Sequence, residues 1–342
     1  MLKNFTSEDI HKEKTLKNNF LNAEYKSLGF NCNILKGNFY LDSYNYFVID
    51  KEFRTFADLF SRDKYQNNEH FFSQKFYKNF KSKIDNFKQF ENIFILGSNA
   101  ANNYYSNLLQ FLPRIFFINK SKIKIAIHRN SSTKFREFIK LILEEKNVNF
   151  SFIYLDDGFY KFTNCEIPQF LNLNKSITIL KNLLIPNNQE TDDKKIYVTR
   201  EDSAYRKVVN EADIIPILRS KGYKVINPYL YTINEQIKIF SGANKIIAPH
   251  GSNLSNIIFC KPGTQIYEIG PKFTNSFEKI FENRYKNLAE IRGLSYIRLI
   301  ADSVTVDSHS DLALKYIDSK ILDESNYYKN LIVKVTQLSS LI

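Results

Sequence analysis

Short apolar runs, each followed by a stretch with helical spacing, recur in two series along the chain, and this rhythm limits the fold more than any other feature. The first series starts near residue 92: Ile93–Gly97 then 101–118, Ile123–Ile127 then 132–146, and Phe150–Leu155. The second runs through Lys195–Thr199, 209–220, Gly222–Ile226, 232–241, Lys245–Ala248 and Thr264–Ile269. Strand and helix in strict alternation is the pattern of parallel, doubly wound sheets. Ile214, Ile215 and Leu218, and likewise Ile233, Ile237 and Phe240, fall on single helical faces and read as core. Before the first series, Asn33–Leu41 and Tyr46–Asp50 alternate apolar with polar side chains, which predicts a short antiparallel strand preface.

The length of 342 residues suits two domains. The proline-opened polar stretch Ile185–Asp193 reads as their linker. The expected division is 1–186, 187–305, and a terminal segment 306–342 whose apolar residues, Leu312, Leu314, Ile317, Ile321, Leu322 and Leu331, pack back as helices. Two such domains are expected to enclose a cleft at the carboxyl ends of their strands, where open α/β sheets bind ligands.

Composition excludes several classes. No apolar leader and no run of about 18 uncharged apolar residues occurs, so neither secretion nor a membrane span is expected. Cys32, Cys165 and Cys260 are widely separated, without zinc spacing or a disulfide framework, and read as small buried hydrophobes. The net charge of +12 favours anionic partners, yet bases and acids are interspersed, as in Lys12-Glu13-Lys14. No zinc finger, RNP-like or helix-turn-helix signature accompanies the charge, so a nucleic-acid partner is not expected.

Chemistry concentrates in Lys245–Thr264. A buried strand ends at Pro249-His250, Gly251 permits close backbone approach, and Ser252 and Asn253 open a helix whose free N–H groups suit a phosphate. His250 is expected to donate a hydrogen bond to that anion; a structural or general-base role stays open beside it. Arg200 leaves the end of the strand at Tyr197, and Arg206-Lys207 and Asn210-Glu211 follow. Forked guanidinium groups suit a diphosphate. For a general base, His128 follows Ile123–Ile127, and Asp156 and Asp157 follow Phe150–Leu155; Asp157, next to Gly158, is preferred.

Thr199-Arg200, Arg206, Asn210-Glu211, Pro249-His250-Gly251-Ser252-Asn253-Leu254-Ser255-Asn256, Pro262-Gly263-Thr264 and Glu268-Ile269 occur in an order that resembles the C-terminal half of glycosyltransferase family 61. Ser252-Asn253 stands where that family usually has Ala-Gly. Asn103–Arg114 is similar to a second family stretch, with Leu108, Pro113 and Arg114 agreeing while Ser106, Asn107 and Gln110 replace its His, Trp and acid. The resemblance implies a GT-B-like scaffold of two facing Rossmann-type domains and an inverting sugar transfer from a nucleotide-sugar donor. It adds Leu254, Asn256 and Glu268 to the donor-binding residues, and places Asn103, Ser106 and Arg114 on the acceptor side. His250 joins Asp157 and His128 as a catalytic candidate.

No Asp-x-Asp motif is present, and neighbours such as Asp156-Asp157 diverge along an extended strand. Neither a metal nor another cofactor is therefore expected; cationic side chains and helix-start amides would stabilise the leaving diphosphate. The expected setting is bacterial surface or capsular polysaccharide synthesis in the cytoplasm, on a glycan or lipid-linked glycan acceptor, with peripheral contact to the anionic inner leaflet. A pyruvyltransferase-like modifying enzyme on the same architecture is the alternative, followed by a basic nucleic-acid-binding protein.

Overall fold

The computed structural model describes residues 3–4, 20–25, 30–44, 46–55, 74–97, 103–185, 194–306 and 319–342, and divides into two compact units, Met1–Leu183 and Leu184–Ile342. Residues 186–193 of the proposed linker, and Leu312, Leu314 and Ile317, lie outside the described residues.

The first unit holds strands β1 (Lys3–Asn4), β2 (Phe20–Tyr25), β3 (Phe30–Asp42), β4 (Phe47–Asp50), β5 (Arg54–Thr55), β6 (Lys88–Glu91), β7 (Ile93–Ile95), β8 (Lys122–His128), β9 (Asn149–Leu155) and β10 (Phe159–Pro168). They form one sheet in the order β1-β5-β4-β3-β10-β7-β8-β9, with β2 also on β3 and β6 on β10. Parallel pairing runs through β10, β7, β8 and β9, and antiparallel pairing through β2, β3, β4 and β5. The sheet is thus mixed where a parallel one was expected. The strand preface is no separate layer: β3, 13 residues long, pairs along its length with β10. β10 is absent from the periodicity because its alternation breaks. Its register slips between Phe162 and Cys165, where Asn164 adopts a left-handed φ of 50°, so Phe162 and Cys165 both point inward across a bulge.

Helices α1 (Gln74–Lys83), α2 (Tyr104–Ser106), α3 (Thr133–Glu145) and α4 (Leu173–Leu184) belong to this unit. α2 continues as a helical path to Phe117. The Ser132 hydroxyl accepts from the Phe135 amide and caps α3, which buries Phe135, Phe138, Ile139, Ile142 and Leu143 on one face.

The second unit is a six-stranded sheet of β11 (Lys194–Val198), β12 (Tyr223–Ile226), β13 (Ala243–Pro249), β14 (Gln265–Pro271), β15 (Ser295–Val304) and β16 (Asn330–Ile332). Its order is β12-β11-β13-β14-β15-β16, parallel except for β16. Helices α5 (Glu211–Ser220), α6 (Ile233–Ser241), α7 (Ser276–Glu282), α8 (Arg284–Arg292), α9 (Ser319–Glu324) and α10 (Val335–Ser339) accompany it. The chain moves from β11 out to β12, then returns past β11 to β13. The strand order therefore reverses between β11 and β13, which leaves a crevice at their carboxyl ends. Ile214 and Leu218 of α5 and Leu338 of α10 share one cluster with Tyr197, Ile247, Ile269 and Leu299 of the strands. β15 extends the sheet beyond the last strand evident in the sequence.

Candidate functional site

The exits of β11 and β13 are neighbours because those strands pair in parallel, Tyr197 opposite Ile247. Thr199-Arg200 and His250-Gly251 are thereby brought together across 50 residues of chain. The Arg200 side chain lies on Gly251: a Cβ at that glycine would stand 1.8 Å from Nη1 and 2.3 Å from Cζ. Gly251 has an extended φ of 170°, so the glycine serves this close approach and not an unusual backbone.

Arg200 is 8% exposed, and its guanidinium makes one hydrogen bond to a described residue, from Nη2 to the Tyr205 carbonyl at 3.2 Å. Its buried Nε has no hydrogen-bond partner among the described residues. Burial, together with the like charge of Arg206, pulls its pKa down to about 10. A buried cation without a carboxylate costs free energy until an anion arrives.

Arg206 adopts a left-handed φ of 58° and is also buried. Its Nε donates to the His250 carbonyl at 2.9 Å, its Nη1 donates to the Tyr327 carbonyl, and its guanidinium stacks 4.0 Å from the centre of the Tyr327 ring. Burial raises the Tyr327 hydroxyl pKa, but Arg206, Arg284 and Arg200 outweigh it and hold the group below the usual phenol range. Three guanidinium groups thus set the local potential. Tyr327 was missed in the sequence because it comes from the C-terminal segment, over 70 residues past the His250 motif.

His250 departs from the expected phosphate-facing geometry. Its ring is 1% exposed and sits edge-on to Phe273, Tyr285 and Tyr327. Nδ1 lies 2.6 Å from the Glu268 carboxylate, so Nδ1 carries the proton and Nε2 the lone pair. Burial drives the imidazole pKa down to about 4 against the pull of Glu268, leaving it neutral at pH 7. Burial opposes ionisation of Glu268 too, yet His250, Arg298 and the Tyr296 hydroxyl at 2.7 Å keep that carboxylate charged. Glu268 is therefore the carboxylate partner of His250 beneath the loop.

Several other residues assigned to the donor site hold the fold together. Glu211 accepts from the Tyr197 hydroxyl at 2.6 Å and from the Thr199 hydroxyl at 2.9 Å, clamping α5 to the end of β11. The Asn210 amide spans the Val333 backbone, accepting from its N–H at 3.0 Å and donating to its carbonyl at 2.9 Å. The Lys207 backbone pairs with Asn330 and Leu331. Leu254 is core, and Asn256, fully buried, donates to Gln236 at 3.2 Å. Ser252 and Asn253 open the 3-10 turn Ser252–Phe259 beside Arg200.

In the first unit, His128 and Asp157 meet at the exits of β8 and β9. The Asn130 amide donates to His128 Nδ1 at 3.1 Å, so the imidazole proton lies on Nε2, 2.9 Å from Asp157 Oδ1. His128 is buried, whereas the Asp157 side chain is 38% exposed. Both imidazole nitrogens are thus engaged, and His128 orients the carboxylate. Asp156 pairs with Arg129 at 2.6 Å. Asn103 caps α2 through the Ser106 amide. Arg114, expected on the acceptor side, is fully buried and stacks on Phe170. Its guanidinium donates to the carbonyls of Pro168, Leu96 and Ile95. It ties β7 to β10, and its guanidinium is taken up by these backbone carbonyls.

Among the described residues, no three His, Cys, Asp or Glu side chains cluster to hold a metal, and no helix is long and apolar enough to cross a membrane. Cys32, Cys165 and Cys260 are free and buried, and burial pushes their thiol pKa values up.

The Glycosyltransferase 61 family model matches residues 66–267, more than half of the chain. No curated protein matches it.

Proposed function

The chain belongs to glycosyltransferase family 61, and we propose that its second unit binds the diphosphate of a nucleotide-sugar donor at the exits of β11 and β13. One observation carries this reading: Arg200, almost wholly buried, rests on Gly251 beside Arg206 with no carboxylate partner among the described residues. A diphosphate supplies the missing charge, and the crevice at a reversal of strand order is where doubly wound sheets take nucleotides. As the bond from the sugar C1 to the phosphate oxygen breaks, negative charge grows on the leaving diphosphate, and the two guanidinium groups stabilise it without a divalent cation. The strand order of this unit also supports assignment to the GT-B class.

For the acceptor, the candidate base is Asp157, held in orientation by His128 Nε2–H. An inverting displacement, in which the acceptor oxygen bonds to C1 from the face opposite the departing phosphate, releases the hydroxyl proton to a general base, the role proposed for this carboxylate of the first unit. His250 and Glu268 belong beneath the donor loop, where they fix the backbone that Arg206 grips. The acceptor is proposed to be a glycan or lipid-linked glycan of a bacterial surface polysaccharide, reached in the cytoplasm at the inner leaflet.

The test is incubation with a panel of nucleotide sugars, followed through released nucleotide and product mass, for the wild type and Arg200→Ala. Turnover by the wild type and a large loss in the folded variant are expected. Equal turnover in both removes Arg200 from the donor site.

A further inference from the structure

One buried carboxylate lies outside the donor site, yet its hydrogen bonds lead there. Glu278 stands in the first turn of α7 and is fully buried. Its two oxygens have different partners. Oε2 accepts from the Thr274 amide at 2.6 Å, the Thr274 hydroxyl at 3.2 Å and the Asn275 amide at 3.3 Å, which closes the capping box of the helix. Oε1 faces the C-terminal segment instead, where it accepts from the Ser325 hydroxyl at 2.8 Å and the Tyr327 amide at 3.2 Å. Burial opposes ionisation of this carboxyl, but the converging donors outweigh it and hold the group below the usual carboxylate range. A helix start is capped by one oxygen; the second ties α7 to the turn Asn326–Tyr328.

That turn holds Arg206 in two ways. The Tyr327 carbonyl accepts from Arg206 Nη1, and the Tyr327 ring centre lies 4.0 Å from the same guanidinium. α7 supports the ring as well as the backbone: Phe281 stacks on Tyr327 at 4.3 Å, and Arg284 lies 4.4 Å from the centre of the Phe281 ring. The path from Glu278 to the donor loop is therefore short. It runs from the carboxylate to the Tyr327 N–H, from the Tyr327 carbonyl to Arg206, and from Arg206 Nε to the His250 carbonyl. Both Glu278 and Tyr327 lie beyond residue 267, where the family match ends.

We propose that Glu278 is a positioning residue for the donor site: through Oε1 it fixes the Tyr327 turn, and through Tyr327 it sets Arg206 in place before an anion arrives. The inference rests on the diphosphate reading of that site. An arginine side chain left to its many rotamers loses entropy when a ligand orders it, so holding it beforehand strengthens binding. Arg206, pinned between an aromatic face and two carbonyls, meets that condition only while the turn stays docked on α7.

A double-mutant cycle on the full chain, read by calorimetry with inorganic pyrophosphate below the melting temperature of every variant, tests this. Glu278→Gln and Tyr327→Leu are each expected to weaken pyrophosphate binding roughly three- to ten-fold, and the double variant to bind no more weakly than the worse of the two. Ser325→Ala leaves the helix cap intact and removes one donor to Oε1; it should lower affinity in the same direction, and it carries the test if Glu278→Gln does not fold. Losses that add in the double variant would show that Glu278 does not act through Tyr327, and overturn the proposal. A folded Glu278→Gln protein with a lower melting temperature but wild-type affinity would make the residue a helix cap alone, and so would wild-type affinity in Ser325→Ala should Glu278→Gln not fold; each overturns the proposal while the diphosphate reading stands. If the wild type does not bind pyrophosphate, or Arg200→Ala binds it equally well, the diphosphate reading falls and takes the positioning role with it.

Discussion

His128 and His250 occupy matching places, each buried at the exit of a central strand and each bonded to a carboxylate, yet the two pairs are built in opposite senses. At His128 a backbone amide occupies Nδ1 and the proton on Nε2 faces Asp157, whose side chain is 38% exposed. At His250 the proton lies on Nδ1 toward Glu268, which is fully buried. The carboxylate decides what each pair can do. A part-exposed one, oriented by a satisfied histidine, can take a proton from an incoming hydroxyl. A sealed one, bonded by His250 and Tyr296 with Arg298 at 3.7 Å, can only hold its surroundings in place.

Exchanging the two outcomes is the sharpest way to break this contrast. Glu268→Ala leaves the buried site without its anion and should cost about 3–5 kcal/mol of stability, whereas Asp157→Asn should leave the melting temperature unchanged and lower turnover by roughly 10²–10⁴-fold. Thermal melts paired with initial rates read both. A stable Glu268→Ala protein, or full activity in Asp157→Asn, would dissolve the distinction.

Acid should act on the second pair. The unfolded His250 imidazole takes up a proton near pH 6.5, while burial delays uptake in the folded protein to about pH 4. Between those values the unfolded state binds more protons, so stability rises with pH across the window and is lost as pH falls through it. The interval corresponds to about 3 kcal/mol at most. Denaturant midpoints measured from pH 7 down to pH 4 should fall in the wild type and flatten in His250→Gln if that variant folds; a parallel decline in both would assign the effect to other groups.

Next in size is the arginine itself. Arg200→Ala should cost about 2 kcal/mol in transition-state stabilisation, with the fold retained. Gly251→Ala should mimic it, because the new Cβ would fall on the Arg200 guanidinium. Wild-type affinity for a nucleoside diphosphate in Gly251→Ala would show that the arginine does not act from that position. Smallest of all is the expected response to excess chelator, which should leave turnover unchanged when cationic side chains carry the leaving charge. Loss of activity restored by manganese would count against that assignment.

Much of this architecture was legible because most parallel strands write a short apolar run into the chain: Ile93–Ile95, Lys122–His128, Asn149–Leu155, and the strands from Lys194 to Pro271 carry that mark. β10 does not, since the bulge at Asn164 breaks the alternation by which a strand is recognised. The order of Arg200, His250 and Gly251 at strand exits was legible, and the structure brings these residues together, with the His250 ring turned to Glu268. Arg114 misled because a buried arginine bonded to carbonyls reads the same, in sequence, as one waiting for a ligand.

The sequence alone determined which elements form and which charged groups stand at their ends, since periodicity and strand termini are local properties of the chain. Only the tertiary structure decided how those groups are used. It brought Tyr327 under Arg206, seated Arg200 on Gly251, and set the proton of His128 on one nitrogen and that of His250 on the other. The reason is physical: burial and the nearest hydrogen-bond partner fix protonation and ligand access, and both are supplied by residues far away in the chain.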